Sequence, residues 1–305
     1  MNLCFGDPWD GSAYRWYLRR EFAGRLPDLL VVRHPGEMVA GLGLNYRQVR
    51  LAGGALVEVG IVTAAWTLPA ARGRGCLEAL LRGSVRIAAR RGCVLLLAFV
   101  TRENGSSGVM RRCGSTMIPT AYLRSSPKDR RLRVDCKSLV LTAVDATEVE
   151  SSFARRKAES AARFDYSRSQ DWRSQYLQRP YSVETLSAGE SKVIVEKVGD
   201  TDRLVLLIGP RAERRRVLAA LAWRARQAGR NFFAFTMDPS DHELAGEEGW
   251  RSRPGYLAAL GVARGRPAPV ATLPELREIA ADRKLRSPDP ALALGPWQVH
   301  PGDRM

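Results

Sequence analysis

The amino-acid sequence predicts an α/β fold made of two similar halves. In the first half, apolar residues alternate over Ala55–Leu68 and then repeat at three- and four-residue steps over Leu77–Ala88, which indicates a strand followed by a helix. The second half has the same order, with a helix over Arg211–Ala228 and a strand over Phe232–Met237. The matching order favours two copies of one strand-and-helix unit, although βαβ order is common enough for coincidence.

Turn residues divide the first half into its predicted elements. Pro35-Gly36 favours a turn between strands, and Pro69 ends a strand because it has no backbone N–H to donate. Gly92 stands where a left-handed helix cap is expected. The predicted strands are Leu29–Arg33, Met38–Leu51, Ala55–Leu68, Cys93–Val100 and Met117–Leu123, and the helices are residues 75–92 and Val109–Cys113.

The second half contains a hairpin before its helix and a proline-rich tail at its end. Gly199-Asp200 is the hairpin turn. The predicted strands are Lys192–Val198, Arg203–Ile208, Phe232–Met237 and Trp250–Leu260. Beyond Val262 proline becomes frequent, and one short helix is predicted with Pro274 in its first turn. We expect this tail to form a strap over the two halves.

Composition excludes several classes of protein. Hydrophobic residues make up 45% and charged residues 26% of the chain, as in a folded soluble protein. The longest apolar runs have the length of a strand, and residues 1–10 lack the basic and apolar pattern of a signal peptide. The sequence therefore predicts a cytoplasmic protein that does not enter a membrane.

Cysteine and histidine content argues against a metal site. The five cysteines form no CxxC pair, and none of the three histidines stands near a second histidine or a cysteine at ligand spacing. No GxSxG pattern accompanies the histidines either. We therefore predict no metal site, no disulfide framework and no serine-histidine-acid hydrolase.

The chain is strongly basic. It has 48 Lys and Arg against 32 Asp and Glu, a net charge of +16. This balance favours a polyanionic partner such as nucleic acid, an anionic membrane surface, an acidic carrier protein or a phosphorylated cofactor. An arginine-rich surface without a partner would give the same balance. Nucleic acid is the partner that the sequence supports least, because no known nucleic-acid-binding motif is present.

The stretch from Thr67 to Leu77 carries the chemistry that the sequence predicts. Here a strand ended by proline leads through a glycine-spaced loop into an amphipathic helix. Gly73 and Gly75 let the backbone approach an anion, the helix N-terminus adds positive potential, and Arg72 and Arg74 add charge. Such a loop would hold a pyrophosphate, and a tight turn without a ligand is the alternative. Neither the Walker pattern nor the Rossmann fingerprint is present.

The run from Glu58 to Gly114 resembles the central motif of the GNAT superfamily of acyl-CoA N-acyltransferases. The family loop reads Gln/Arg-x-x-Gly-x-Gly/Ala, and residues 72–77 match it at the first and fourth places, with Leu77 instead of the final small residue. The helix, strand, asparagine, short helix and glycine that follow in the family are also present. The resemblance covers about residues 25–124 and, more loosely, the second half, as in tandem-GNAT proteins.

The resemblance implies two tandem GNAT-like domains, each with a mixed central sheet flanked by helices. Residues 1–135 would form an N-terminal domain that binds acyl-CoA, and residues 136–263 a C-terminal domain that lacks the pyrophosphate loop. Residues 264–305 would form the proline-rich tail with its short helix.

The resemblance also implies acetyl-CoA or another acyl-CoA as cosubstrate. The pantetheine arm would pair with the backbone where the strand ending at Thr67 separates from its neighbour, and the pyrophosphate would lie on the loop. Asn104 matches the family asparagine near the pantetheine, with a helix-start role as the alternative. The implied cofactor-binding residues are Ala65, Trp66, Thr67, Arg72, Gly73, Arg74, Gly75, Cys76, Leu77 and Asn104.

Amine acylation needs a base that takes the ammonium proton and an acid that protonates the leaving thiolate. Glu58, on the strand that leads to the cofactor, and Glu103, after the next strand, are candidate bases; an ordinary outward-facing acid is the alternative for Glu58. The family acid is a tyrosine, but Met110 stands in its place and cannot donate a proton. Tyr122 is the candidate donor, with solvent or a loss of acyl transfer as alternatives.

We therefore expect an N-acyltransferase, and favour an acetyltransferase, that moves an acyl group directly from acyl-CoA to an amine of a small-molecule acceptor. A non-catalytic binding protein on the same scaffold, or a donor in the form of an acidic acyl carrier protein, are the alternatives. The candidate residues of the acceptor side are Trp9, Asp10, Tyr14, Trp16 and Tyr17. For Trp9, Trp16 and Tyr17 the alternative is a role as core anchors. The cluster at Trp172 and Tyr176 is interpreted as a packed helix end.

Overall fold

A computed structural model gives the fold of most of the chain. It describes residues 10–51, 54–129, 139–155, 161–238, 241, 243–262 and 297–303. The helix predicted after Pro274 and most of the proline-rich tail lie outside these residues, as does Trp9.

The first half follows the order that the sequence predicts. Its helices are α1 (Gly11–Leu18), α2 (Cys76–Arg90) and α3 (Gly105–Arg112), and its strands are β1 (Asp28–His34), β2 (Glu37–Arg50), β3 (Leu56–Thr67), β4 (Leu95–Thr101) and β5 (Thr116–Ser125). The five predicted strands and the long helix are confirmed. α3 begins earlier than predicted because Asn104 caps it and so adds a turn before Val109.

The second half contains the hairpin, helix and two later strands that the sequence predicts. Its helices are α4 (Ala146–Arg155), α5 (Ser169–Tyr176) and α6 (Arg211–Gln227), and its strands are β6 (Leu141–Ala143), β7 (Ala162–Phe164), β8 (Val183–Ala188), β9 (Ser191–Val198), β10 (Thr201–Ile208), β11 (Asn231–Thr236), β12 (Arg251–Gly261) and β13 (Trp297–Gln298). The sequence does not predict β6, β7, β8, β13 or α4. Of these, β6, β7 and β13 have only two or three residues and so show no alternation.

Strands from both halves join in one continuous mixed sheet. Among the described residues its order is β13-β7-β2-β3-β4-β12-β5-β11-β10-β9-β8-β6, with β1 paired to β2. The last strand of the second unit, β12, lies between β4 and β5 and is antiparallel to both. The last strand of the first unit, β5, pairs in turn with β11. Each unit is thus completed by the final strand of the other.

The composition of β12 suits its central place in the sheet. Leu257–Leu260 are fully buried, so both faces of the strand pack against apolar residues. The register sets Leu257 opposite Phe99 of β4 and Ile118 of β5. An apolar run such as Leu257–Leu260 is stable in a strand where both edges and both faces are covered.

Helices cover both faces of the sheet. α2 and α6 contribute to two apolar clusters on one face, one under each half. On the other face a single cluster runs across both halves, from Ile61 and Leu97 to Phe235, and takes in Phe153 of α4 and Trp172 of α5. The shared cluster binds the halves together. Within the described residues, no helix is both long and apolar enough to cross a membrane.

We predict that Gly255→Ala destabilises the whole chain. A Cβ at Gly255 in β12 would lie 2.3 Å from Cε2 of Tyr122 and 2.8 Å from the carbonyl oxygen of Val100. Because the three central strands would have to move apart, the cost should be about 1–3 kcal/mol. Thermal unfolding followed by circular dichroism should show one cooperative transition, at a lower temperature than in the wild type.

Gly105→Ala is the matched control. A Cβ at Gly105 meets no atom within 4 Å, and alanine favours the helix that begins there, so this variant should keep the wild-type transition. Two separate transitions, of which Gly255→Ala moves only one, would contradict the joint sheet.

Candidate functional site

β3 and β4 are paired over only part of their length. Their parallel ladder joins Val59–Val62 to Leu95–Ala98 and then ends, although β3 continues to Thr67 and β4 to Thr101. On their outer edges β3 stays paired with β2, and β4 with β12, to these last residues. The two strands therefore separate, as the resemblance implies. In the described sheet, backbone groups of residues 63–66 face this opening without a strand partner on that side.

A bulge in β3 lies at the start of the opening. Gly43 pairs with Thr63 and Gly41 with Trp66, so three steps along β3 match two along β2. Ala64 takes up the extra residue in the left-handed region, with φ of 49°. A side chain in this region costs about 1–2 kcal/mol. The bulge is therefore strained backbone that the surrounding sheet holds in place.

The loop after β3 presents its amides to solvent at the start of α2. Gly73 and Gly75 have φ of 77° and 79°, and a Cβ at either would meet no atom within 4 Å. Gly75 precedes the first turn of α2 and supplies no side-chain cap. In the part of the chain that the structure describes, the N–H groups of residues 73–78 have no acceptor. A row of unpaired donors at a positive helix end is suited to an anion.

Two exposed arginines add positive charge to this loop. Nε of Arg72 donates to the carbonyl oxygen of Thr67 at 3.4 Å and so ties the loop to the end of β3. Arg74 is also exposed. The carboxylate in the first turn of α2, Glu78, pairs with Arg82 at 2.9 Å. The negative charge nearest the loop is thus partly neutralised within the helix itself.

Cys76 and Leu77 anchor α2 to the sheet. Cys76 is buried, its Sγ lies 3.8 Å from the carbonyl oxygen of Ala71, and burial raises the pKa of the thiol. Leu77 is half-buried and packs against the same apolar cluster as Ala65. Their backbone belongs to the loop of residues 72–78, called the anion loop because its free N–H groups suit an anion. Their side chains belong to the core.

Asn104 caps α3. Its side-chain oxygen accepts a hydrogen bond from the N–H of Ser106 at 3.1 Å. The residue follows β4 and is exposed, at the edge of the sheet where β3 also ends. Asn104 therefore has the helix-start role, and its contact with a cofactor stays a prediction.

A cavity opens beside the bulge on the other face of the sheet. A Cβ at Gly43 would lie 2.4 Å from Cδ2 of Leu18 in α1, whereas Val62 packs in the cluster under α2, so α1 and α2 lie on opposite faces. The cavity has a volume of about 1050 Å³. Its lining includes Ala64 and Trp66 from the bulge and residues of α1, β1 and β2. The separated part of β3 thus has the loop and α2 on one face of the sheet and the cavity on the other.

The N-terminal residues proposed for the acceptor side divide into two groups. Asp10 and Tyr14 line the cavity. Trp16 is buried in the core, where its Nε1 donates to the carbonyl oxygen of Ser174 at 3.3 Å. Trp172 and Tyr176 are also buried, which confirms the interpretation of that cluster as a packed helix end.

Several residues of the cavity wall are not predicted from the sequence, namely Arg15, Arg19, Leu29, Val31 and Met38. The available signal lies in β1, where Leu29 and Val31 point to the same side and are 40% and 42% exposed. Apolar side chains left exposed together on one side of a strand indicate a binding surface. The sequence alone does not reveal this, because alternation does not tell which side of an edge strand is covered.

Glu58 lies far from the opening. It is the third residue of β3, about 20 Å along the strand from Ala64. It accepts a hydrogen bond from Nε2 of Gln48 at 2.8 Å and lies 3.5 Å from a guanidinium nitrogen of Arg25. The structure does not bring Glu58 together with the loop or the cavity.

Glu103 and Tyr122 occupy very different places. Glu103 follows β4 at the same edge as the opening, where it is exposed and lies 3.3 Å from Nε of Arg253. Tyr122 is 5% exposed and its ring packs against Phe233 and Phe235. Its strand is three strands from β3, about 14 Å across the sheet. Of these two, only Glu103 lies near the opening.

The second half has no counterpart of the anion loop. β10 and β11 also separate after a short parallel ladder, but the turn after β10 is Gly209-Pro210, and proline offers no N–H. Residues 301–303 pack against β10, where a Cβ at Gly302 would lie 2.7 Å from Cγ1 of Val205. Asp303 is held there by the hydroxyls of Tyr166 and Tyr176, at 2.5 and 2.6 Å.

Comparison with known proteins agrees with this architecture. Residues 1–105 match the family model of the acetyltransferase (GNAT) domain. No curated protein matches the chain. A GCN5-related N-acetyltransferase from Kribbella flavida is similar, at 14% identity over 76% of this chain and 59% of that one, with a TM-score of 0.51. One from Anabaena variabilis has 12% identity over 77% and 63%, with a TM-score of 0.51.

A tandem arrangement is found among the similar structures. The tandem GNAT protein from the clavulanic acid biosynthesis pathway shares 14% identity over 80% of this chain and 86% of that one, with a TM-score of 0.52. The chain spans less than two thirds of the Kribbella and Anabaena proteins. The fold is that of a tandem GNAT protein, and the resemblance to the GNAT superfamily is confirmed.

We predict that glycine substitutions at neighbouring positions of the bulge have opposite effects. Ala64→Gly removes the strain of a left-handed side chain, so the free energy of unfolding should stay the same or rise by up to about 1 kcal/mol. Ala65→Gly, outside that region, should lower it by about 0.5–1 kcal/mol. Urea denaturation measures both. Equal losses in the two variants would show that Ala64 does not hold a left-handed conformation.

Proposed function

We propose that the protein is an N-acyltransferase, with acetyl as the favoured group, that uses acyl-CoA as donor and a small-molecule amine as acceptor in the cytoplasm. The observation that carries the proposal is the opening between β3 and β4, with unpaired loop amides on one face of the sheet and a cavity on the other. A donor held on one face and an acceptor held on the other would meet at the bulge.

The residues present fit the donor. The N–H groups of residues 73–78 would hold its pyrophosphate, with Arg72 and Arg74 adding charge. The backbone of Ala65 to Thr67, where β3 has separated from β4, would hold its pantetheine amides, and Asn104 lies at the same edge. When bound, acyl-CoA supplies the acyl group as a thioester. The free space around Gly73 and Gly75 supports this placement, since a side chain there would enter it.

Direct transfer is favoured over a covalent enzyme intermediate. The thiol nearest the loop, Cys76, is buried and burial raises its pKa, so it stays protonated at neutral pH. The acceptor amine must still lose a proton and the leaving thiolate gain one. Of the three predicted catalytic residues, Glu103 is the one near the opening, and we assign it the role of base, acting through solvent.

A non-catalytic binding protein is the second candidate, and one observation favours it. Met110, which replaces the family tyrosine in α3, is 1% exposed and cannot exchange a proton. A scaffold that keeps the anion loop and has lost its acid would bind acyl-CoA without turnover. Release of thiol from acetyl-CoA, measured against a panel of amines, separates the two: tight binding with no release would favour the binding protein.

We expect Gly75→Trp to abolish binding of acetyl-CoA measured by isothermal titration calorimetry. An indole at Gly75 would fill the space in front of the loop amides and cover the start of α2. Both the steric block and the loss of amide contacts act on the pyrophosphate, so affinity should fall by a factor of 100 or more, a loss of about 3 kcal/mol.

Gly92→Trp is the matched control, because Gly92 follows the other end of α2, has the same φ of 79° and is also surrounded by open space. It carries the same backbone strain and should retain wild-type affinity. No heat with the wild-type protein, or equal affinity in both variants, would overturn the donor site.

A further inference from the structure

We propose that the cavity beside the bulge selects an acceptor that combines an apolar body with an anionic group, such as an apolar amino acid or a peptide-like amine with a free carboxylate. This inference rests on the proposed function, because it names the acceptor class for the same site. It assigns a different role to each wall of the cavity.

The walls formed by the strands are apolar and open. Leu29 and Val31 of β1 and Met38 of β2 line the cavity and are 40%, 42% and 53% exposed, and Tyr14 of α1 faces it at 36%. These are half of the eight large apolar side chains that the described chain leaves exposed. Covering such a concave apolar surface with an apolar ligand removes it from water and so contributes favourably to the free energy of binding.

The wall formed by α1 supplies unpaired positive charge. Arg15 and Arg19 lie one helical turn apart, both exposed, and both line the cavity. Within the described residues neither forms an ion pair, whereas neighbouring Arg20 and Arg25 are bound to protein acceptors. Two guanidinium groups at the rim of an apolar cavity suit a carboxylate, which they can bind in a bidentate manner.

The cavity offers little to a polycationic acceptor. Asp10 is the one carboxylate among its lining residues, and its Oδ1 already accepts the N–H of Ala13 at 2.7 Å as the cap of α1. A polyamine would therefore meet two cations and a carboxylate already engaged by the helix. The charge balance favours an anion, and the apolar strands favour a hydrocarbon body next to it.

The bulge fixes the direction of such an acceptor. Ala64 and Trp66 line the cavity and also belong to the part of β3 that has separated from β4, where the amine must be for acyl transfer. The apolar body would then lie along β1 and β2, and the anionic group against α1. One ligand of this class could thus contact β1 and β2 with its apolar body, α1 with its anionic group and the bulge with its amine.

The test is calorimetric binding of three probes to the full chain: N-acetyl-L-phenylalanine, N-acetylphenethylamine and spermidine. The first two differ only in the carboxylate, and neither needs a bound donor. We expect N-acetyl-L-phenylalanine to bind at least about tenfold more tightly than N-acetylphenethylamine, and spermidine not to bind. Equal affinity of the two amides, or tighter binding of spermidine, would overturn the proposal.

Variants locate the binding. Arg15→Gln with Arg19→Gln should remove the preference for the carboxylate, and Met38→Glu should weaken both amides about tenfold or more. Each of these side chains is exposed, so the fold should survive. Arg33→Gln is the control, because Arg33 is exposed on β1 but does not line the cavity, and should change nothing. Unchanged binding in Met38→Glu would place the probe elsewhere and refute the assignment.

Two further arms separate this proposal from the donor site. If Met38→Glu weakens octanoyl-CoA but not acetyl-CoA, the cavity takes the acyl chain of the donor, and the acceptor assignment is wrong. Acetyl-CoA binding to the wild-type protein is measured in parallel. If acetyl-CoA does not bind, the proposed function is wrong. If acetyl-CoA binds and the two amide probes do not, only the proposed acceptor class is wrong.

Discussion

The pairing of β12 with β4 is the interaction on which the rest of the structure depends. β4 is held by β12 along its length to Thr101, and β3 is held by β2 to Thr67. Each strand at the opening therefore has one satisfied edge, and the two can separate beyond Val62 and Ala98 without leaving the sheet. The opening is a fixed feature of the fold, and the loop and the cavity are both positioned by it.

The two halves use the same unit for different purposes. In the first, the turn after β3 contains Gly73 and Gly75 and leaves its amides free, whereas the turn after β10 contains Pro210 and a segment of the C-terminal region packs against the strand. Asp303, 2% exposed and bound by two tyrosine hydroxyls, fixes that segment within the shared core. The proposed donor site is thus open in the first half, and the corresponding place in the second half is filled by protein.

Local patterns predict the elements and the loop, and fail where distant residues meet. The alternation of β3, the helical period of α2 and the glycines of the loop are visible in neighbouring residues. The position of β12 is not, because it pairs with strands about 130 to 170 residues earlier. For the same reason Tyr122, close to the motif in sequence, lies in the core, and Glu58 lies at the far end of its strand. The cavity is missed because α1, β1 and β2 form it jointly.

The exchange of final strands sets an order on synthesis. The first half lacks its neighbour for β4 until residues 251–261 have left the ribosome, and the shared core lacks one wall until residues 297–303 follow. Until β12 has emerged, the edges of β4 and β5 that it later covers are unpaired. Unpaired strand edges favour incorrect association of nascent chains. The folding yield of this chain should therefore depend on translation speed and on chaperone binding more than that of a chain whose domains each complete their own sheet during synthesis.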